Sequence, residues 1–255
     1  MVRCLKKHGF ENLILKNRSE LDLMNQEKTE LFFRTEKPYG VICSAAKVGG
    51  IYANHVSPAD FLYKNLTIQN NLIHFSHKYN VKYLLFLGSA CIYPKYAKQP
   101  IKEDSMLSGP LEPTNEPYAL AKIAGIKLCE NYYKQYSDNF ISVMPNNLYG
   151  PNDNFNPDTS HVIPALIQKF HEAKVNSSKY VTVWGSGNPI REFLHVYDLA
   201  EAILFIIRNV IVEEVYSKGI SHINVGSGEE LSIHELALMI KKTVGFKGQI
   251  KFDKS

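Results

Sequence analysis

The segment YLLFLGSACIY, residues 83–93, predicts a buried strand that leads into a turn of small residues. Its apolar residues are continuous rather than alternating, which is typical of a strand covered on both faces. Further strands are predicted at residues 12–16, 39–46 and 141–150, and helices at residues 58–79 and 116–137. Alternating strands and helices predict an α/β fold with a doubly wound parallel sheet.

Two polar turns follow predicted strands in this pattern. Residues 88–91 follow the strand that begins at Tyr83, and residues 146–150 follow the strand that begins at Ile141. Because ligands bind beyond the carboxyl ends of parallel strands, both turns are expected at one ligand-binding rim.

From Pro151 onward the pattern changes to a loop rich in Pro, Asn and Asp. A helix is predicted from near Val162, then a strand, a glycine-rich turn, a short strand and a helix from about Tyr197. Ser232 followed by Glu235 has the spacing of a capping box at another helix start. This part predicts a smaller α/β domain.

The composition excludes several classes of protein. The 255 residues are 45% hydrophobic and 21% charged, and the net charge is +4. Scattered lysines and arginines make nucleic acid an unexpected partner. Four widely spaced cysteines favour free thiols over disulfides or a metal site, and no metal ligands are predicted. Without a signal-peptide core or a membrane-length apolar run, we expect a cytoplasmic protein.

In NEPYALAKIAG, residues 115–125, Tyr118 and Lys122 lie four residues apart and share one helix face. Alone, the pair is also compatible with ordinary helix surface. Beside the strand-end Ser89 it has a chemical use, because a tyrosine can donate a proton to a carbonyl oxygen while hydride arrives from a nicotinamide. We expect the ammonium to lower the tyrosine pKa and the serine to hold the carbonyl.

Seven collinear segments carry a resemblance to a known family: AAKVGGI, FLGSACIYPK, EPTNEPYALAKIAGIKLCE, MPNNLYGPNDNF, SHVIPALI, VWGSGNPIREFLHV and SHINVGSG. They resemble the extended short-chain dehydrogenase/reductase family, which implies a Rossmann-like sheet. Within it, the chain is similar to members that convert GDP-4-keto-6-deoxy-D-mannose to GDP-L-fucose by NADP-dependent 3,5-epimerisation and 4-reduction.

The resemblance implies site residues at matching positions. The catalytic set is Ser89, Cys91, Tyr118, Lys122 and His161. Cys91 and His161 match a pair that moves protons at C3 and C5, whose hydrogens the C4 ketone acidifies. From the residues alone, Cys91 is equally well explained as a buried strand-end cysteine and His161 as a helix-start residue.

The resemblance also implies two binding sets. The residues expected to bind NADP(H) are Arg18, Leu87, Gly88, Ser89, Ala90, Lys122, Pro145, Asn146, Asn147, Leu148 and His161. Those expected to bind the GDP-sugar are Asn147, Lys169, Trp184 and Arg191. Arg18 suits a 2′-phosphate, with a solvated surface arginine as the alternative. Trp184 is also compatible with a core position.

The implied domains are an NADP-binding domain, residues 1–150 and 190–225, and a partial substrate domain, residues 151–189 and 226–255. Helix 58–79 is apolar on more than one face, and in the resembling family it forms a homodimer interface with helix 116–137. We therefore expect a homodimer.

The chain departs from the family at its ends. It has no G-x-x-G-x-x-G turn, so we expect the first strand and glycine loop to be missing, together with a C-terminal segment. A chain without that strand is expected to fold poorly and to bind NADP weakly. Two alternatives follow: an inactive fragment of such an enzyme, or another nucleotide-sugar epimerase or dehydratase.

Overall fold

The computed structural model describes residues 1–156 and 159–253. Its helices are α1 (Val2–Lys7), α2 (Gln26–Glu36), α3 (Ile51–Val56), α4 (Pro58–Lys78), α5 (Glu116–Tyr136), α6 (Val162–Val175), α7 (Val196–Asn209), α8 (Val212–Tyr216) and α9 (Ile233–Val244). Its strands are β1 (Gly40–Cys43), β2 (Tyr83–Leu87), β3 (Phe140–Pro145), β4 (Asn147–Tyr149), β5 (Tyr180–Trp184), β6 (Ile190–His195), β7 (Ile223–Val225), β8 (Glu230–Ser232) and β9 (Gln249–Asp253).

The chain divides into two compact units. The first comprises residues 1–146 and 197–225, and the second comprises residues 147–196 and 226–255. These bounds differ from the predicted ones, since residues 147–150 and 190–196 belong to the second unit. The physical reason is strand pairing: β4 and β6 pair with each other, and β6 also pairs with β8.

The first unit is built on a parallel sheet with the strand order β1-β2-β3-β7. Leu84, Leu85 and Phe86 of β2 are all fully buried. Because successive side chains of a strand point to opposite faces, both faces of this sheet are covered. The predicted doubly wound α/β fold is confirmed.

Helix α5 lies close against β2 because a glycine faces the strand. A Cβ atom on Gly125 would lie 2.7 Å from Cε1 of Phe86 and 3.0 Å from Cδ of Gln69 on α4. The Gln69 side-chain amide donates to the Ala121 carbonyl at 2.6 Å, which ties α4 to α5. This close packing holds the first turns of α5 near the end of β2.

The second unit contains two small sheets. One has the order β4-β6-β8 and the other pairs β5 with β9. Phe170 of α6, Val183 of β5 and Ala237 of α9 belong to one buried apolar cluster. The predicted capping box is confirmed, because the Ser232 hydroxyl accepts from the Glu235 N–H at 3.1 Å and the Glu235 carboxylate accepts from the Ser232 N–H at 2.8 Å.

Two strand predictions were wrong in detail. Residues 12–16 form no strand, and Ile14 and Leu15 are exposed. A strand needs a neighbour for its backbone groups, and β1 pairs only with β2 among the described strands. The predicted strand 141–150 divides at Asn146 into β3 and β4, which belong to different sheets.

Across residues 1–156 and 159–253, no helix has both the length and the apolar character that crossing a membrane requires.

Candidate active site

A short turn after β2 carries two of the predicted catalytic residues. Ser89 to Ile92 form a single tight turn, in which the Ile92 N–H donates to the Ser89 carbonyl at 3.1 Å. The preceding Gly88 N–H donates to the Val143 carbonyl of β3 at 2.8 Å. A Cβ on Gly88 would lie 3.2 Å from that carbonyl oxygen, so glycine allows this close approach.

Tyr118 and Lys122 lie one turn apart near the start of α5, as the sequence predicts. The Lys122 ammonium is buried and donates to the Leu87 carbonyl at the end of β2, at 2.8 Å. Its Nζ lies 5.7 Å from the centre of the Tyr118 ring. The hydrogen bond to Leu87 therefore fixes this helix turn beside the strand end that carries Ser89.

Electrostatic interactions connect the four side chains. Burial raises the pKa of Tyr118, and the charge of the Cys91 thiolate raises it further. A hydrogen bond with the Ser89 hydroxyl lowers it. Burial raises the pKa of Cys91 to about 11, although Ser89 and Lys122 act in the opposite direction. Ser89, Cys91, Tyr118 and Lys122 thus form one cluster within the first unit.

The expected lowering of the Tyr118 pKa by Lys122 is wrong for this structure. Burial has the largest effect on the Tyr118 pKa, because removing a phenolate from water costs more free energy than its hydrogen bond with Ser89 contributes. Burial also lowers the pKa of Lys122. At neutral pH, Tyr118 is therefore a phenol and Cys91 a thiol, and both are proton donors.

The four cysteines, all within the described residues, are free thiols with different accessibility. Cys4, Cys43 and Cys129 are buried, whereas Cys91 is partly exposed. Cys91 also lies four residues beyond the end of β2. Burial nevertheless raises its pKa, so the alternative of a buried cysteine at the strand end stands beside the catalytic interpretation.

Other predicted cofactor residues in the first unit lie on the same edge of the sheet. Leu87 and Pro145 end the adjacent strands β2 and β3. Asn146 follows, and its N–H donates to the Val225 carbonyl at 3.1 Å. Arg18 lies elsewhere, in an irregular segment, with its side chain 77% exposed and 3.8 Å from the Asp22 carboxylate. No strand precedes it, contrary to expectation.

The second unit carries the remaining predicted residues, of which Leu148 and Lys169 are only partly exposed. Asn147 donates through its side chain to the Glu192 carbonyl at 2.9 Å, and Leu148 follows it in β4. His161 is the N-cap residue of α6 and is exposed. It therefore does start a helix, and its expected pairing with Cys91 stays a prediction.

Trp184 is 72% exposed, so the core alternative for this residue is wrong. The Lys169 ammonium lies 4.3 Å from the centre of the Trp184 ring, within cation–π distance. Arg191 is exposed, and its guanidinium donates to the Ile190 carbonyl at 2.7 Å. Lys169 and Trp184 thus present a flat aromatic ring and a positive charge side by side.

Known proteins resemble this chain over nearly its whole length. Residues 1–226 match the model of the NAD dependent epimerase/dehydratase family. The chain belongs to this family. A GDP-L-fucose synthase of Arabidopsis thaliana is 56% identical over 99% of the chain and 76% of its own length. A GDP-L-fucose synthase of Escherichia coli K12 is 53% identical over 99% of the chain and 79% of its own length.

One solved structure in the family is a GDP-D-glycero-L-gluco-heptose synthase from Campylobacter jejuni in the presence of NADPH. It is 40% identical, matches with a TM-score of 0.94, and the alignment covers all of this chain and 84% of that one. The extended short-chain dehydrogenase/reductase resemblance is therefore confirmed.

The sequence reasoning missed one polar group of this epimerase/dehydratase-family chain. His222 is fully buried and bonds to Tyr93, two residues beyond Cys91. The residue types give no signal for this contact, because Tyr93 and His222 are 129 positions apart. Two other histidines, His74 and His77, bond to Tyr132 and Asp138 at 2.8 and 2.6 Å.

A group of possible metal ligands lies outside this site. One ligand atom each of Cys4, His8 and Glu201 lies within 4.8 Å of the others. Contacts within the protein account for the arrangement, because the Glu201 carboxylate accepts from Lys7 at 3.1 Å and lies 2.8 Å from Nε2 of His8.

Proposed function

We propose that this chain is an NADP-dependent epimerase and reductase that converts GDP-4-keto-6-deoxy-D-mannose to GDP-L-fucose. The observation that carries the proposal is the cluster of Ser89, Cys91, Tyr118 and Lys122 at the end of β2. The identity of more than half of the aligned residues with two GDP-L-fucose synthases supports the choice of substrate.

The residues at the sheet edge fit a nicotinamide cofactor. The Asn115 side-chain oxygen at the start of α5 is buried without a protein partner, which leaves an acceptor for a bound group. Leu87, Ser89, Ala90, Pro145 and Asn146 would line the cofactor. Bound NADPH would supply the hydride that reduces the C4 carbonyl carbon.

The reduction then needs a proton on the C4 oxygen. Tyr118 is a phenol at neutral pH and donates this proton as the carbonyl becomes an alkoxide. The Ser89 hydroxyl donates a hydrogen bond to the same oxygen and orients it. Lys122 holds the helix turn against the strand end through Leu87 and provides a positive charge beside the developing phenolate.

The two inversions need one group to remove a proton from carbon and another to return it on the opposite face. Cys91 and His161 are assigned these roles, because thiols and imidazoles exchange protons under mild conditions. In the second unit, Asn147, Lys169, Trp184 and Arg191 are assigned to the GDP-sugar. The charge of Arg191 suits the diphosphate, which a guanidinium can bind with two hydrogen bonds. Arg18 is assigned to the cofactor 2′-phosphate, and Leu148 to the nicotinamide.

The test is a coupled measurement of NADPH consumption and product identity with purified chain and GDP-4-keto-6-deoxy-D-mannose. Tyr118→Phe should reduce turnover by about 100-fold or more, the scale of general acid catalysis. Tyr96→Phe, at a tyrosine that is 84% exposed, is the matched control. NADPH binding without any conversion by the unmodified chain would refute the assigned activity and favour the inactive alternative.

A second candidate substrate is a GDP-linked heptose. The Campylobacter structure, a heptose synthase at 40% identity, favours testing it. Comparing kcat/KM for the two GDP-sugars decides between them, and a higher value for the heptose would reassign the substrate.

We also propose a cytoplasmic homodimer that pairs through residues 58–79 and 116–137. Tyr63 on α4 and Leu120 on α5 are exposed at 64% and 43%, which suits an apolar interface. The free thiols suit a reducing compartment. Sedimentation of the chain and of Tyr63→Glu tests the dimer, which the substitution should weaken. Sedimentation of the unmodified chain as a monomer would refute it.

A further inference from the structure

A network of hydrogen-bonded polar side chains connects the turn after β2 to β7. The Tyr93 hydroxyl lies 2.7 Å from Nε2 of His222 and also donates to the Asn224 side-chain oxygen. On the other side of the imidazole, Nδ1 of His222 lies 3.0 Å from the Ser221 hydroxyl. Both Tyr93 and His222 are buried, at 4% and 0% exposed.

The positions of the protons follow from counting donors. The Asn224 side-chain nitrogen donates to the Ile101 carbonyl at 3.3 Å, so its oxygen faces Tyr93. Tyr93 has one hydroxyl proton, which it gives to Asn224, and it must therefore accept from Nε2–H of His222. His222 Nδ1 then accepts from Ser221. Each of these four side chains has a hydrogen-bond partner when the imidazole is neutral. The neutral form is favoured because burial lowers the His222 pKa to about 4.

These hydrogen-bonded side chains join parts of the first unit that the sheet does not connect. The Tyr93 N–H donates to the Ala90 carbonyl at 3.4 Å, so Tyr93 closes the turn that contains Cys91. The Asn224 N–H donates to the Glu103 carboxylate at 3.0 Å. Since β3 lies between β2 and β7, no backbone ladder fixes the turn to β7.

We propose that Tyr93, His222 and Asn224 are positioning residues that hold the turn bearing Ser89 and Cys91 against β7. Their effect on catalysis rests on the proposed function, but their effect on the turn does not. Removing one member leaves a buried donor or acceptor unpaired and lets the turn open more often.

The accessibility of Cys91 reports on the turn without any substrate. We expect Tyr93→Phe to raise the rate of Cys91 alkylation by iodoacetamide about 30-fold, the factor expected for loss of the two neutral hydrogen bonds that the hydroxyl makes. Alkylated peptides are quantified by mass spectrometry. Tyr96→Phe is the matched control, since Tyr96 lies in the same segment but is 84% exposed. Cys129, which is fully buried, reports opening of the whole unit.

Substitutions of the histidine separate a positioning role from simple packing. His222→Leu should raise Cys91 alkylation as Tyr93→Phe does. His222→Gln keeps an N–H that can reach the tyrosine oxygen and should restore most of the protection. Unchanged Cys91 alkylation in Tyr93→Phe and His222→Leu would overturn the proposal. So would equal increases at Cys91 and Cys129, because the network would then support the unit as a whole.

Turnover gives the second readout. With active enzyme, Tyr93→Phe should lower kcat about fivefold, because Ser89 and Cys91 are misplaced, and should leave the KM for the GDP-sugar within about twofold, because the residues assigned to that substrate lie outside the turn. A rise in KM at constant kcat would contradict positioning of the reacting groups. Absence of turnover by the unmodified chain would refute the proposed function. The alkylation result would still decide the role of Tyr93 and His222.

Discussion

The buried neutral state of His222 makes the stability of the first unit depend on pH. Its pKa falls from the ordinary 6.5 to about 4, and burial is the main cause. The charge of Glu103 opposes the shift, Lys127 adds to it and Glu130 opposes it. Between pH 6.5 and about pH 4, His222 binds a proton in the unfolded chain but not in the folded chain. Lowering the pH through this range therefore destabilises the fold.

The size of the effect follows from the shift. One pKa unit corresponds to about 1.4 kcal/mol, so the full shift corresponds to about 3 kcal/mol at low pH. Between about pH 7 and about pH 5, the His222 contribution to the free energy of unfolding should fall by about 2 kcal/mol. Carboxylates with lowered pKa values, such as Glu112, lose their contribution mainly below this window.

The assay is urea unfolding followed by far-ultraviolet circular dichroism at several pH values in this window. His222→Gln cannot take up the proton, so the stability gap between the unmodified chain and this variant should shrink by about 2 kcal/mol on acidification. His55→Gln, at an exposed histidine, controls for loss of an imidazole as such. A gap that stays constant from about pH 7 to about pH 5 would refute the argument that His222 is neutral because it is buried.

Three further predictions concern packing and the site. Gly125→Ala should lower the urea midpoint, because crowding of Phe86 costs about 1–3 kcal/mol and exceeds the gain of about 1 kcal/mol in helix propensity; a higher midpoint would contradict this. Alkylation of Cys91 should accelerate about tenfold per pH unit up to its pKa of about 11, and a plateau near neutrality would show a reactive thiolate instead. Lys122→Met should reduce kcat by about 100-fold, since the charge beside Tyr118 and the bond to Leu87 are both lost, and unchanged turnover would exclude this role.

Much of the fold could be predicted because its signals are local. The continuous apolar run of β2, the helix bounds near Pro58 and Glu116, and the Ser232 capping box all depend on residues within a few positions of one another. The placement of Tyr118 and Lys122 on one helix face follows from helix geometry alone. For the same reason, the predicted positions of Ser89 and Cys91 beyond a strand end agree with the structure.

The wrong predictions involve partners that are distant in sequence. Residues 12–16 have the composition of a strand, but a strand forms only beside another strand, and none of the described strands pairs with them. For Trp184 the sequence left both GDP-sugar binding and a core position open, and its exposed ring beside Lys169 excludes the core position.

The sequence by itself determined the alternation of strands and helices around β2 and α5, the family, and which side chains belong at the end of β2. Only the tertiary structure decided their protonation, because the pKa values of Tyr118 and Cys91 depend on burial by residues from several elements. It also decided the contact between Tyr93 and His222, which lie 129 positions apart. Local sequence specifies backbone periodicity, whereas desolvation and hydrogen-bond partners exist only once the chain has folded.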